Sequence, residues 1–289
     1  MDKTKETKET KENIKNKNIL VLSGGSMRGI AHIGVLKALE NLNILENIKT
    51  FAATSVGAMI SVLYLVGYTP DELIEFIYSI DFKLFSNINV DNLSNFGMDD
   101  GEKMMYVFKK MFEVKNVNKN ITFSELFQKT NIKLIITAVC INDKKLHYVS
   151  HETYPNMNVL TGLRMTISVP FLFTPVKYES KLFIDGGIMN NYPINLFYNN
   201  LENVIGVYLN ESHEVGANIN NIESFITNMI ECIFEGMSCA SIGNCASQTI
   251  NLILPQSEIF SMSMNLEEKK KLYNIGYNEC IRHIRENRA

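Results

Sequence analysis

The sequence predicts an α/β fold in which a mainly parallel sheet carries helices on both faces, and three observations lead there. Short aliphatic runs recur along the chain and each is followed by apolar residues at helical spacing, the alternation that builds parallel sheets. Two of the strand-to-helix junctions are rich in glycine or other small residues, Gly24-Gly25-Ser26-Met27-Arg28-Gly29 and Ala53-Thr54-Ser55-Val56-Gly57. Finally, 289 residues with 46% hydrophobic content are enough for one large α/β core.

Taken in order, residues 18–23 read as a fully buried strand, and Ile30, Ile33, Val35, Leu36, Leu39 and Leu42 then mark a helix. A second short strand over 50–54 leads into 56–67, apolar nearly all round, as in a helix buried behind a sheet. Thr69 caps the next helix, with Pro70 in its first turn and Asp71 and Glu72 at the positive end of its dipole. Residues 82–98 have no period and read as an irregular loop able to cover a pocket. Helices follow over 103–112 and 123–128, then a strand over 133–141 with 145–149 paired beside it. A helix over 160–167 and the breakers Pro170 and Pro175 precede a strand at 181–184 that runs into Asp185-Gly186-Gly187. Residues 204–209 read as the last clear strand. The apolar stripe of 222–237 is expected to pack on the sheet, with a lipid-facing surface helix as the alternative, and 265–286 is a C-terminal scaffold helix.

Composition narrows the partners. Lys+Arg of 28 against Asp+Glu of 31 gives a net charge of -3, so no overall positive field favours nucleic acid. The first 17 residues form a polar tail expected to be disordered. The chain shows neither the apolar region of a signal peptide nor a run long enough to cross a bilayer, so a cytoplasmic or intracellular location is expected, with transient membrane contact open to it. Five cysteines without a C-x-x-C pair read as reduced thiols, and a metal site from Cys232, Cys239 and Cys245 is the lesser alternative. No metal and no cofactor is expected, and the oligomeric state is left open.

The chemistry lies in three segments. A serine hydroxyl needs a base and a site for the oxyanion it creates. Ser55 stands at a sharp strand-to-helix turn whose close neighbours Ala53 and Gly57 are small, with Thr54 and Val56 between them and the helix N-terminus aimed at the developing charge. The loop Gly24, Gly25, Ser26, Met27, Arg28, Gly29 lacks the Lys and Ser/Thr of a phosphate loop and the middle glycine of a dinucleotide fingerprint. Oxyanion binding by the N–H groups of Gly25 and Ser26 fits it better. Arg28 either orients that loop or meets an anionic head group. Asp185 with Gly186 and Gly187 reads either as a hairpin turn or as a base freed to approach the serine. His213 and His283 follow Asp185 in the order of a Ser–Asp–His triad, which leaves a Ser-His-Asp esterase open; His32 and His147 read as satisfied structural residues.

These motifs, together with Ser168-Val169-Pro170-Phe171-Leu172-Phe173-Thr174-Pro175 and Asn190-Asn191-Tyr192-Pro193, resemble those of the patatin-like phospholipase family over roughly 19–197. The resemblance implies a three-layer α/β/α fold over 18–210, with 211–289 as a helical extension packed on it. It also implies a lipid acyl hydrolase of phospholipase A or lysophospholipase type acting on phospholipid or another lipid ester, without catalytic calcium. Carried onto this chain, it makes Ser55 the nucleophile, Asp185 the base and 24–29 the oxyanion loop. Two departures stand out: Ser26 replaces a glycine of the usual run, and Ala53 replaces the first glycine of G-x-S-x-G. A catalytically silent lipid-binding or interaction module of the same fold is the competing reading.

Overall fold

The computed structural model describes residues 17–212, 219–243, 245–255 and 263–286. The tail expected over 1–17 lies outside them except for Lys17, as does His213. Ten strands are described: β1 (Ile19–Leu22), β2 (Thr50–Ala53), β3 (Gly97–Asp99), β4 (Lys133–Cys140), β5 (Lys145–Val149), β6 (Phe171–Phe173), β7 (Val176–Tyr178), β8 (Lys181–Asp185), β9 (Val204–Glu211) and β10 (Thr249–Leu254). Eight of them form one sheet in the order β10-β9-β1-β2-β4-β8-β7, with β5 also paired to β4. Pairing is parallel from β10 to β4 and antiparallel among β4, β5, β7 and β8. β1 is buried along its whole length, as a strand covered on both faces must be.

The register of β4 decides where the chemistry can sit. Ile136 pairs with Ala53 of β2 and with Val149 of β5, while Ala138 pairs with His147 of β5 and with Asp185 of β8. β5 therefore fills one edge of β4, and β2 and β8 share the other. The two strands run in opposite directions along that edge and their C-terminal ends meet at Thr137.

Helices pack on the sheet as the patterns require. Ile30–Asn41 is buried over most of its surface, including the fully buried Ile33, Leu36 and Leu39. The C-terminal helix Leu266–Glu286 lies directly on it: a Cβ at Gly34 would stand 2.1 Å from Tyr273 O, and one at Gly276 2.0 Å from Ala31 O. Two backbones this close leave room for glycine and nothing larger. The C-terminal helix also contributes Lys269, whose ammonium donates to the carbonyls of Ile77 and Ile80 at the negative end of helix Pro70–Ser79. The predicted Thr69 cap is present as a full capping box with Glu72.

Four expectations need correction. Val204–Glu211 is not the last strand, because β10 follows and pairs with it; Ile250, Leu252 and Leu254 point inward and Asn251 and Ile253 outward, an alternation that reads weakly over six residues. The segment 82–98 is less irregular than predicted: it holds two short 3-10 turns and leads into β3, which pairs with β6. The buried Asp99 carboxylate ties it down, accepting from Asn87 N (2.5 Å), Ser86 Oγ (3.3 Å) and Gly101 N (2.7 Å). Helix Ile222–Gly243 packs with only part of its stripe: Ile230 is buried and Ile226 and Phe234 lie against the core, while Ile222, Phe225, Met229 and Ile233 are exposed. Asp185-Gly186 is not a hairpin turn, because the chain passes from β8 straight into the short helix Gly187–Asn190.

Candidate active site

The ends of β1, β2 and β8 converge, and each delivers one predicted motif. After β2 the backbone turns sharply at Ser55, which has φ 51° and ψ −121°, before helix Val56–Leu65 begins. A non-glycine residue at positive φ is costly and is held only where its surroundings fix it. Here Ser55 N–H donates to Thr166 Oγ1 at 2.9 Å, and Thr54 Oγ1 bonds Thr137 Oγ1 (2.7 Å) and the Asn190 carbonyl (3.0 Å). Ala53 is fully buried, and a Cβ at Gly57 would lie 2.7 Å from the carbonyls of Leu22 and Ser23, so this elbow needs its small residues for space.

The glycine loop after β1 forms a 3-10 turn, Ser26–Gly29, that continues into helix Ile30–Asn41. As the first residues of that turn, Gly25 and Ser26 have N–H groups with no intrahelical acceptor. Gly24 uses its own N–H to hold the loop, donating to Asn191 O at 3.1 Å, and a Cβ on it would meet Asn191 Oδ1 at 2.3 Å and Ser55 Cβ at 3.3 Å. Gly29 lies against Val56, where a Cβ would stand 2.0 Å from a valine methyl. Ser26 adopts φ 49°, so the residue that replaces a glycine occupies the left-handed region. Arg28 is buried, paired with Glu211, and its Nε donates to Gly25 O at 3.2 Å; it orients the loop, with its charge already matched.

Asp185 is fully buried. Its Oδ1 accepts from Gly187 N–H at 2.7 Å, whereas Oδ2 has no formed hydrogen bond among the described residues. Burial pushes the carboxyl up to about 7, opposed by the Gly187 N–H and by the neighbouring Ser55 hydroxyl, which both favour the charged form. Gly186 fits against Thr137, where a Cβ would clash at 2.1 Å with Oγ1.

From Ser55 an apolar cavity of about 160 Å3 runs into the protein. Ser26, Met27, Gly29 and Val56 line it together with Phe82, Phe85 and Phe108, and helix Ile222–Gly243 contributes Phe234. No described histidine lines it. His32 is buried, donates from Nε2 to Ser23 O at 2.9 Å and is pushed down to about 4 by desolvation, so it stays neutral. His283 sits in the C-terminal helix. Sequence reasoning missed the supports Thr137, Thr166 and Glu211, and quoted Asn191 only within a motif; lone polar residues within apolar runs, Thr137 inside the strand above all, were the signal available.

A family model of patatin-like phospholipases matches residues 20–198, and the chain belongs to that family. Among its relatives, a probable lipid hydrolase, 463L of Invertebrate iridescent virus 6, is 35% identical over 192 residues, covering 64% of this chain and 65% of the viral protein. Protein R571 of Acanthamoeba polyphaga mimivirus, whose function is uncharacterised, is 30% identical over 285 residues and covers 94% of each chain. In solved structures the fold is similar to that of VipD from Legionella pneumophila (TM-score 0.62, 15% identity, 94% of this chain and 67% of that one). It also matches ExoU in its complex with SpcU from Pseudomonas aeruginosa (TM-score 0.55, 16% identity, 93% and 51%). Family and relatives support a hydrolase acting on lipid. Among the described residues, no helix is long and apolar enough to cross a membrane.

Proposed function

We propose that this protein hydrolyses carboxylic esters of lipids, in the manner of a phospholipase A or lysophospholipase, with Ser55 as nucleophile and Asp185 as base. The observation that carries the reading is a buried carboxylate, one oxygen unbonded, beside a serine on a strained turn at the head of an apolar cavity. Ser55 Oγ attacks the ester carbonyl carbon while its proton passes to Asp185. The carbonyl oxygen becomes an oxyanion held by the N–H groups of Gly25 and Ser26 and by the positive end of helix Val56–Leu65. Asp185 returns the proton to the departing alcohol, leaving an acyl group on Ser55 with its chain in the cavity. Water then attacks the acyl-enzyme, giving its proton to Asp185, and the fatty acid leaves as Ser55 recovers a proton.

A free carboxylate near pKa 3.9 is a poor base, but one raised to about 7 is matched to neutral pH. With a soluble short-chain ester, Ser55→Ala and Asp185→Asn are each expected to remove turnover while the circular dichroism spectrum is unchanged. Turnover that persists in Ser55→Ala would exclude Ser55 as nucleophile, and a wild-type protein inert on every ester would favour the silent module. The oxyanion is held by N–H groups, so EDTA is expected to leave ester turnover intact; its loss on chelation and return with calcium would overturn the reading.

A further inference from the structure

Away from the catalytic residues, the turn between β4 and β5 gathers three different ligand types. Cys140 ends β4, Asp143 lies in the turn, and His147 is on β5; one ligand atom from each lies within 4.8 Å of the others, the one such group of His, Cys, Asp or Glu among the described residues. His147 was expected to be a satisfied structural residue, and only half of its ring is: Nε2 is buried without a hydrogen-bond partner, and the Asp143 carboxylate beside it meets the Cys140 thiol, with Oδ1 finding no conventional donor.

The other atom of each side chain is committed. Tyr154 Oη bonds His147 Nδ1 at 2.6 Å, and Lys181 Nζ donates to Asp143 Oδ2 at 2.9 Å. The partners fix ring and carboxylate so that Nε2, the Asp143 carboxylate and the buried thiol gather at one point, the thiol against the carboxylate, which is the arrangement that outer partners impose on metal ligands. Nε2 and Oδ1 are 3.6 Å apart, too far for a good hydrogen bond. Ligands bound at about 2.0–2.2 Å in a tetrahedron stand about 3.4 Å apart, so this gap suits an ion between them. Thiolate plus imidazole selects a borderline-soft ion over magnesium or calcium.

We propose that Cys140 Sγ, Asp143 Oδ1 and His147 Nε2 bind one zinc-class divalent ion, with solvent in the fourth position. Binding releases the thiol proton to water, and Lys181 stays on Oδ2. The ion clips the β4–β5 turn closed, on a sheet face where Phe183 pairs with Cys140 and Asp185 follows two residues on. Its role is to hold the turn, with no part in ester cleavage.

Cobalt(II) added to the chelator-treated full chain is the test. One equivalent is expected to give a thiolate-to-cobalt band in the near ultraviolet and tetrahedral bands in the visible, all displaced by zinc. Cys140→Ser should abolish the ultraviolet band, and Cys232→Ser, at an exposed thiol, should keep it. Zinc should raise the melting temperature of the wild type and not of Asp143→Asn or His147→Ala, with affinity lower at least about tenfold. Asp143 is partly exposed, so Asp143→Asn serves even if Cys140→Ser fails to fold. A cobalt band that persists in Cys140→Ser, no band in the wild type, or the same zinc effect in all variants would overturn the proposal.

Discussion

Two residues occupy conformations that their chemistry does not favour, and each has a measurable cost. Ser26 at φ 49° bears a left-handed penalty of about 1–2 kcal/mol, partly offset in a Ser26→Gly variant by the greater freedom of glycine in the unfolded chain. Ser26→Gly is therefore expected to gain about 0.5–1 kcal/mol in urea unfolding and to keep its ester turnover; a loss of stability would mean that the hydroxyl supports the loop. Asp185 has the opposite kind of cost. Its folded pKa of about 7 lies above that of an unfolded aspartate, so the folded chain holds the proton more tightly. The favourable contribution is full below about pH 4 and is lost as pH rises through 7. Asp185→Asn is thus expected to raise the melting temperature relative to wild type more at pH 8 than at pH 5. Wild-type turnover should follow the opposite course, rising with pH around a midpoint near 7 as the base deprotonates. Equal effects of Asp185→Asn at both pH values would show that the carboxyl is not raised.

Among elements, the glycines separate structural contact from mere presence in a helix. Gly276→Val drives a side chain into the Ala31 carbonyl and is expected to cost about 1–3 kcal/mol, whereas Gly236→Ala, with nothing within 4 Å, should be neutral or gain up to about 1 kcal/mol. Chemical denaturation of the two variants decides it. The segment 82–98 divides by face. Phe82 and Phe85 line the cavity, while Leu84, Leu93 and Phe96 are exposed, and the stripe of helix Ile222–Gly243 adds Phe225 and Met229 to the exposed apolar surface. A lipid-docking role would rest on the outward set. Leu84→Ser with Phe96→Ser is expected to weaken liposome binding and hydrolysis of aggregated lipid without changing turnover of a soluble ester. Phe85→Ser should impair both, because it alters the acyl wall. If the first pair left liposome binding untouched, that face would not be the docking surface.

For the molecule as a whole, the sequence was legible wherever periodicity or a special backbone position left a mark. β1, β2 and the helices after them are long apolar patterns broken by glycine, and Ser55 and Asp185 stand at the ends of strands that could be read. What escaped depends on pairing between distant segments. β10 is short and at an edge, helix Ile222–Gly243 has a stripe of which only part faces the core, and Thr137 reads as an ordinary strand residue until the register puts it between β2 and β8. The proposed metal ligands escaped because a buried thiol and an aromatic-packed histidine look like core. The meeting of β2 and β8 end to end on one edge of β4 has a carpenter's consequence: it is a butt joint, and the width of its gap is set by strand length alone. One residue added to either strand would move the side chain proposed for catalysis about 3.3 Å and turn it to the other face. The cavity walls, the outer helices and the exposed turn at Gly67 can change length or character and keep the joint closed, so new substrates can evolve around a pair of strands whose lengths cannot drift.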